Sequence, residues 1–406
     1  MRPDLLPEQP SAMTGAVEAC VHCGFCLPTC PTYRVLGVET DSPRGRIVLM
    51  KEVFEGTLQT ADVLPSLDAC LGCLACMTAC PSGVRYDRLL QGFRDTARNT
   101  TSRPLVSRLR RRGLLQTLPH PRRLRAAARV GRLARPVRGL MPAAVKPMLD
   151  LLPGPGPDLG PLPATYPAVG PVRARVALLS GCVQQIMAAE TNWATLRVLA
   201  RNGVEVLIPP SQGCCGALAL HLGELDTARR QAAWNMEAFP RDVDAVISNA
   251  AGCGSALREY GELFEGRAEA VAAAGFAERA LDISVFLDQL GIDPPPGLTE
   301  PRRVAYHDAC HLAHAQRVKD PPRRLLGQIE GLELLEIPDG EICCGSAGTY
   351  NIEQPAIAGT LGAAKAAAIA SARPDVVALG NVGCMVQIRA QLELAGTPLP
   401  VLHTVE

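Results

Sequence analysis

Sixteen cysteines carry the chemistry of this 406-residue chain, and half of them spell one pattern twice. Cys20, Cys23, Cys26 and Cys30 lie in CVHCGFCLPTCP; Cys70, Cys73, Cys76 and Cys80 lie in CLGCLACMTACP. Each run reads Cys-x2-Cys-x2-Cys-x3-Cys-Pro, and the two are 50 residues apart. A thiolate is a soft anionic ligand, and three of them at two-residue intervals on a tight loop reach three irons of one cubane. In two-cluster proteins the fourth cysteine, ahead of the proline that turns the chain away, crosses to the other cluster. The spacing therefore assigns Cys20, Cys23, Cys26 and Cys80 to one [4Fe–4S] cluster, and Cys70, Cys73, Cys76 and Cys30 to a second. Zinc sites are met by paired Cys-x2-Cys units, which leaves the further cysteine step and the Cys-Pro of each run surplus. A disulfide framework belongs to small secreted domains, not to a large chain with clustered cysteines. His22 sits among ligands whose set is already complete, so it is expected either behind the ligands or at the surface. Gly24 and Gly72 leave backbone N–H groups free to bond cluster sulfurs.

The remaining eight cysteines form a second duplication. Cys182, Cys214, Cys215 and Cys253 are matched by Cys310, Cys343, Cys344 and Cys384 at offsets of 128, 129, 129 and 131 residues. A near-constant offset at four landmarks argues for duplicated units. In each, a strand leads to the first cysteine, a helix and strand follow, and Cys-Cys-Gly precedes another helix, strand and Gly-Cys. Loops after parallel strands gather at one sheet edge, so the four thiols of each repeat are expected to converge there. An adjacent pair suits two irons better than a strained vicinal disulfide. Three uses stay open for these eight residues: a metal or further iron–sulfur cluster, a redox-inert structural role, and partner docking. His307, His311 and His314 flank Cys310 and read as the edge of a polar loop, with ligation as the alternative.

The elements that position these residues follow from pattern and composition. Apolar residues make up 47% of the chain and aromatics only 4%, so alanine, leucine and valine must do most of the packing. Lys and Arg (41) balance Asp and Glu (40), which leaves no global field for nucleic acid. Residues 1–100 hold both N-terminal runs; Ile47, Val48, Met50, Lys51 and Phe54 of Pro43–Glu55 fall at helical spacing, so this dicluster domain is expected to be helical. Residues 101–172 comprise an arginine-rich helical segment and a linker crowded with Pro153, Pro155, Pro157, Pro161, Pro163, Pro167 and Pro171. The basic helices read as a solvated face, with docking to an acidic partner or anionic lipid as the alternative. Residues 173–292 and 301–406 are the two α/β units, with 293–301 as the joint. The fold class is α+β overall: a helical ferredoxin-type domain followed by two tandem α/β cysteine-rich units.

These cysteine-rich units resemble the CCG domain of heterodisulfide reductases and of electron-transfer subunits of several dehydrogenases. The full motif ends in Cys-x2-Cys, whereas Ala250 and Asn381 stand here before Cys253 and Cys384. Over nearly its whole length the chain resembles the family of glycolate oxidase iron–sulfur subunits, through CVHCGFCLPTCPTYRVLG, SPRGRI, CPSGVRY, GCCGAL and CCGSAGTYNI. That architecture is shared with iron–sulfur subunits of anaerobic glycerol-3-phosphate dehydrogenase and of lactate-oxidising complexes, which are the alternatives together with a thiol or heterodisulfide reductase. The resemblance implies an oxidoreductase acting on CH–OH groups. It also implies two FAD-binding partner subunits that oxidise glycolate to glyoxylate, two [4Fe–4S] clusters here, and a respiratory acceptor, quinone. No GxGxxG loop follows a strand, and no Ser–His–Asp or paired-carboxylate set stands out, so no catalytic residue for the organic substrate is expected in this chain. The N-terminus MRPDLLPEQPSAMTG lacks a signal-peptide layout and no 18-residue stretch is uniformly apolar. The sequence thus predicts a cytoplasmic protein, at most peripheral on the inner face of the cytoplasmic membrane.

Overall fold

A computed structural model describes residues 10–142, 145–154 and 159–406. Most of the N-terminal stretch read for a signal, and Pro155, Gly156 and Pro157 of the proline-rich segment, lie outside the described residues. Residues 10–100 are helical, with Pro10–Glu18, Pro31–Leu36, Pro43–Glu55, Thr60–Ala69, Ala75–Thr78 and Tyr86–Thr100 in order. Pro31 and Pro43 open their helices, where a missing N–H costs nothing. Ser42 caps Pro43–Glu55, its hydroxyl accepting from the Gly45 amide at 3.0 Å. The helices close on Met50, Val53, Phe54, Val63, Leu67, Leu89 and Phe93, and the rings of Phe54 and Phe93 meet at 5.8 Å. This core holds the two cysteine loops at its margin.

The C-terminal half is two sheets of matching topology. The first contains β1 (Thr165–Tyr166), β2 (Ala174–Leu179), β3 (Val204–Leu207), β4 (Ala245–Ser248) and β5 (Ala280–Asp282), in the order β1-β3-β2-β4-β5. The second contains β6 (Arg302–His307), β7 (Leu332–Glu336), β8 (Val376–Leu379) and β9 (Val401–His403), in the order β7-β6-β8-β9. Apart from β1 every pairing is parallel. Val176–Leu179 is accordingly a continuous buried apolar run, as a strand covered on both faces requires. The duplicated strand order agrees with the duplicated cysteine spacing.

The linker is less empty than its prolines suggest. Between Pro163 and Pro167, Thr165 and Tyr166 pair antiparallel with Leu207 and Val206, and the Tyr166 ring lies 6.5 Å from that of Trp193. An edge strand this short needs few ladder bonds, which is where flanking prolines are tolerated. In the arginine-rich segment, helices Leu105–Thr117 and Pro121–Ala134 form. Some of its arginines turn inward: Arg103 bonds Asp68, and Arg111 reaches Glu353 at 2.6 Å. Among the described residues no helix is long and apolar enough to cross a membrane.

The helical domain packs directly on both α/β units. Arg85 and Arg88 meet Glu262 at 2.7 and 3.2 Å, and Arg98 meets Glu224 at 2.9 Å on the first unit. On the second unit, the Tyr350 hydroxyl donates to the Ala69 carbonyl at 2.7 Å, and Thr78 and His314 share a 2.8 Å hydrogen bond. The surface ion pairs contribute little each; the buried Tyr350 contact is the stronger constraint.

Candidate iron–sulfur sites

The first cysteine loop lies at the surface. Cys23 is exposed, Cys20 and Cys26 are half-buried, and Val21 and Phe25 between them are each about two-thirds exposed, at 67% and 66%. Cys20, Cys23 and Cys26 border a shallow hollow to which Cys80 and Cys76 also contribute, with Ile47 and Tyr86 behind. His22 is exposed with a left-handed backbone and its Nδ1 is 4.0 Å from the Cys20 sulfur. Arg44 braces the loop by donating to the His22 carbonyl at 3.1 Å.

The second loop is deeper. Cys70 and Cys73 are buried and Cys76 is half-buried. Burial first, then the neighbouring thiols of Cys73, Cys70 and Cys30, pushes the Cys76 thiol well up. Cys30, the last cysteine of the first run, lies close enough to act on Cys73 and Cys76 of the second loop as well as on Cys26 of its own, while Cys76 and Cys80 of the second run border the first hollow. Cys30 is held among Thr32 (3.2 Å), the Asp41 carbonyl (3.8 Å) and the Arg46 guanidinium (3.9 Å). Burial opposes ionisation of Cys70, but Arg46, Arg94 and the Gly72 amide together hold it below the ordinary thiol range. Thiols that crowd and repel as anions are a donor set that a cationic iron–sulfur core relieves.

Arg46 and Arg94 were not singled out in the sequence. Arg46 is 1% exposed and anchored to the Ser66 carbonyl at 2.6 Å, Thr32 at 3.0 Å and Asp41 at 3.4 Å. Arg94 donates to the carbonyls of Cys70 (2.6 Å), Leu67 (3.0 Å) and His221 (3.0 Å). Arg46 lies inside SPRGRI, but nothing in that segment marks it as buried.

The cysteines of each α/β unit converge at the sheet edge. In the first, the sulfurs of Cys182 and Cys214 are 3.6 Å apart, and Cys215 interacts with both Cys214 and Cys253. In the second, Cys310 and Cys343 are 4.0 Å apart, and Cys344 interacts with both Cys343 and Cys384. Two thiolates on one tetrahedral metal with bonds of about 2.3 Å sit about 3.8 Å apart, so both close pairs are at single-metal spacing. The glycine of each Cys-Cys-Gly has a left-handed backbone, φ +92° at Gly216 and +88° at Gly345, against the helices Leu225–Ala238 and Pro355–Ser371 respectively. A Cβ at Gly345 would lie 2.6 Å from the Ala358 carbonyl oxygen. Where the full motif has another cysteine, Ala250 is buried and Asn381 donates to the Cys384 sulfur at 3.3 Å.

The three histidines near Cys310 do not form the polar loop edge expected of them. His307 is fully buried at the end of β6, and His314 is buried between Thr78 and the Glu341 carbonyl. His311 is half-buried, with Nδ1 3.6 Å from the Cys310 sulfur and its ring against that of His221. The helical domain covers His314 through Thr78, and the first α/β unit covers His311 through His221. Cys73 shares a buried core with Cys310 and Cys343, and after burial the Cys310 thiol is the largest influence raising Cys73. The second N-terminal loop and the second α/β unit are thus in contact through their cysteines.

Sheets, cysteine edges and paired loops define a class: an iron–sulfur electron carrier fused to duplicated cysteine-rich domains. Residues 16–84 match the model of a 4Fe-4S dicluster domain, and residues 176–258 and 304–389 each match that of a cysteine-rich domain. The chain is 39% identical to the probable glycolate oxidase iron-sulfur subunit of Bacillus subtilis, over 94% of its own length and 90% of that protein's. It is 37% identical to the glycolate oxidase iron-sulfur subunit of Escherichia coli, over 92% and 89%. Lactate utilization protein A of Oceanobacillus iheyensis is 31% identical over 57% of the chain and 95% of its own length. The chain belongs to the glycolate oxidase iron–sulfur subunit family. It is an electron-transfer subunit of an oxidoreductase complex, carrying two [4Fe–4S] clusters.

Proposed function

We propose that this chain takes electrons from a flavin-bearing partner that oxidises glycolate to glyoxylate, and passes them to a respiratory acceptor. The observation that carries this reading is a row of thiol sites. It starts at the exposed Cys20–Cys26 loop, runs inward to Cys70, Cys73 and Cys76 with Cys30, and ends at Cys310 and Cys343. Cys20, Cys23, Cys26 and Cys80 hold one cluster; Cys70, Cys73, Cys76 and Cys30 hold the other. Clusters so held supply one-electron storage, and the chain's own residues set their spacing, screening and charge. The exchange of Cys30 and Cys80 keeps the two clusters within hopping distance. Arg46 and Arg94 offset the negative charge of the deeper site. Cys182, Cys214, Cys215, Cys253, Cys310, Cys343, Cys344 and Cys384 make up further metal or cluster sites of the two cysteine-rich units, 173–292 and 301–406.

The finer setting is two FAD-binding subunits, a quinone acceptor and a peripheral position on the inner membrane face. Exposed Leu105, Val106, Leu109, Leu133 and Leu140 stand among the arginines of 101–172, a combination suited to anionic lipid headgroups. The test is anoxic affinity purification of the full chain, with partners identified and iron counted on the same sample. Flavoprotein partners, at least eight irons per chain and glycolate-dependent reduction are expected; iron near four, or turnover with another 2-hydroxyacid alone, overturns the reading. Cys30→Ser tests the exchange of ligands. It should alter the EPR signal of the second-loop cluster, and a change confined to the first-loop cluster would refute the assignment.

A further inference from the structure

The two cysteine-rich units are duplicates in topology but not in donors. The last residue of β2 is Leu179 and that of β6 is His307, at the same 128-residue offset that relates Cys182 to Cys310. One strand end presents a hydrocarbon to its cysteine edge; the other presents an imidazole. His307 is 0% exposed, and neither Nδ1 nor Nε2 makes a hydrogen bond of ordinary geometry. A buried imidazole with both nitrogens unsatisfied is costly, because each polar group has given up water without a partner. Something must repay that cost in the working protein.

The surroundings say what. One ring nitrogen of His307 and the sulfurs of Cys344 and Cys384 all lie within 4.8 Å of one another, and all three residues are buried. Pairing of β6 with β8 sets His307 beside Leu379, just ahead of the helix Val382–Leu394 that carries Cys384. The Cys-Cys-Gly turn brings Cys344 to the same point. Three donors of borderline and soft character converging from three separate elements suit a zinc-class or iron-class ion, and suit calcium or magnesium poorly. Cys343, bonded in sequence to Cys344 and 4.0 Å from Cys310, continues the donor set on its other side.

We propose that His307 is a metal ligand of the second cysteine-rich unit, its imidazole binding together with the thiolates of Cys344 and Cys384. The first unit, with Leu179 at the equivalent place, offers no imidazole from its own strand end. The two repeats therefore hold different centres. The second, which touches the N-terminal loops through Cys73 and Cys310, carries one less negative charge per ligand replaced. An imidazole in place of a thiolate raises the potential of an iron–sulfur centre, so the ligand difference also gives the two repeats different redox roles if iron is bound.

This inference rests on the reading that the second unit's cysteines bind metal, and the test separates the two. Iron, zinc and sulfide are counted in the anoxically purified full chain, in His307→Leu, in His307→Cys and in Cys344→Ser. The wild type should hold metal beyond the eight N-terminal irons, and the element found distinguishes zinc from iron. His307→Leu should lose that extra metal and keep the eight irons, whereas His307→Cys, which supplies a thiolate instead, should retain it. If Cys344→Ser loses the extra metal and His307→Leu keeps it, ligation by His307 is wrong and the metal reading stands. If the wild type holds eight irons and nothing more, both fall. Should His307→Leu lose its N-terminal irons as well, the wild type alone decides. A histidine nitrogen coupling in pulsed EPR of the iron centre, or a nitrogen neighbour at about 2.0–2.1 Å at the zinc edge, sustains the proposal. Sulfur-only ligation overturns it.

Discussion

At the scale of single residues, the two cysteine loops were legible because soft thiolates must recur at fixed intervals on a tight loop, and that interval survives in the sequence. What sets the electrostatics of those ligands was not legible. Arg46 lies 16 residues from Cys30 along the chain and reaches its sulfur only because Pro43–Glu55 folds back beneath the loop. A cation here stabilises the more negative, reduced form of the adjacent cluster. For charges about 8 Å apart at an effective dielectric constant of about 20, the interaction is roughly 2 kcal/mol, or about 90 mV for one electron. Arg46→Met should thus lower the potential of the second-loop cluster by a shift of that order and leave the first nearly unchanged. Potentiometric titration followed by EPR reads both; an equal shift in the two clusters would assign the effect to general loosening instead. His307 shows the opposite failure of sequence reading. A histidine next to a cysteine loop reads as the edge of a polar loop, yet this one closes β6 and is fully buried beside Cys344 and Cys384 of its own unit.

At the scale of elements, periodicity gave the helix over Pro43–Glu55 and the strand–helix alternation of both repeats. It missed β5 and β9, three residues each, and the two-residue β1, because such short runs carry too few alternations to register. Cys-Cys-Gly could be recognised as a motif, but the reason for its glycine is geometric. Gly345→Ala forces a Cβ onto a left-handed backbone and into the Ala358 carbonyl, at a cost of roughly 2–4 kcal/mol. Gly216→Ala meets the same backbone strain, but its nearest neighbour, the Ala228 carbonyl oxygen, is 3.4 Å away, so about 1 kcal/mol is expected. Thermal unfolding of the two variants should rank them in that order. Equal losses would mean that backbone strain alone accounts for the glycine.

At the scale of the whole molecule, the sequence could not show how the parts of the chain lean on one another. The C-terminus is an example. Beyond β9, Val405 enters the core of the first α/β unit and Glu406 accepts from Thr191 at 2.6 Å, so the last residues join the two repeats. His403 anchors that turn, with Nδ1 accepting from the Val405 amide at 3.2 Å, and burial lowers its pKa to about 4 from an ordinary 6.5. The unfolded chain takes up this proton first as pH falls, so the stabilising preference for the neutral ring is whole above 6.5 and is lost progressively towards 4. Between pH 7 and pH 5 the loss is about 2 kcal/mol. His403→Asn, which keeps an acceptor for Val405 and cannot be protonated, should flatten the dependence of the denaturation midpoint over that range; an unchanged slope would place the titration elsewhere. The position of the Cys20–Cys26 loop has another consequence. Small oxidants diffuse to whatever is nearest the water, and Cys23 is exposed while Cys70 and Cys73 are buried. Brief exposure to air should bleach the first-loop cluster well before the second, so the loop nearest the solvent is also where damage by oxygen begins.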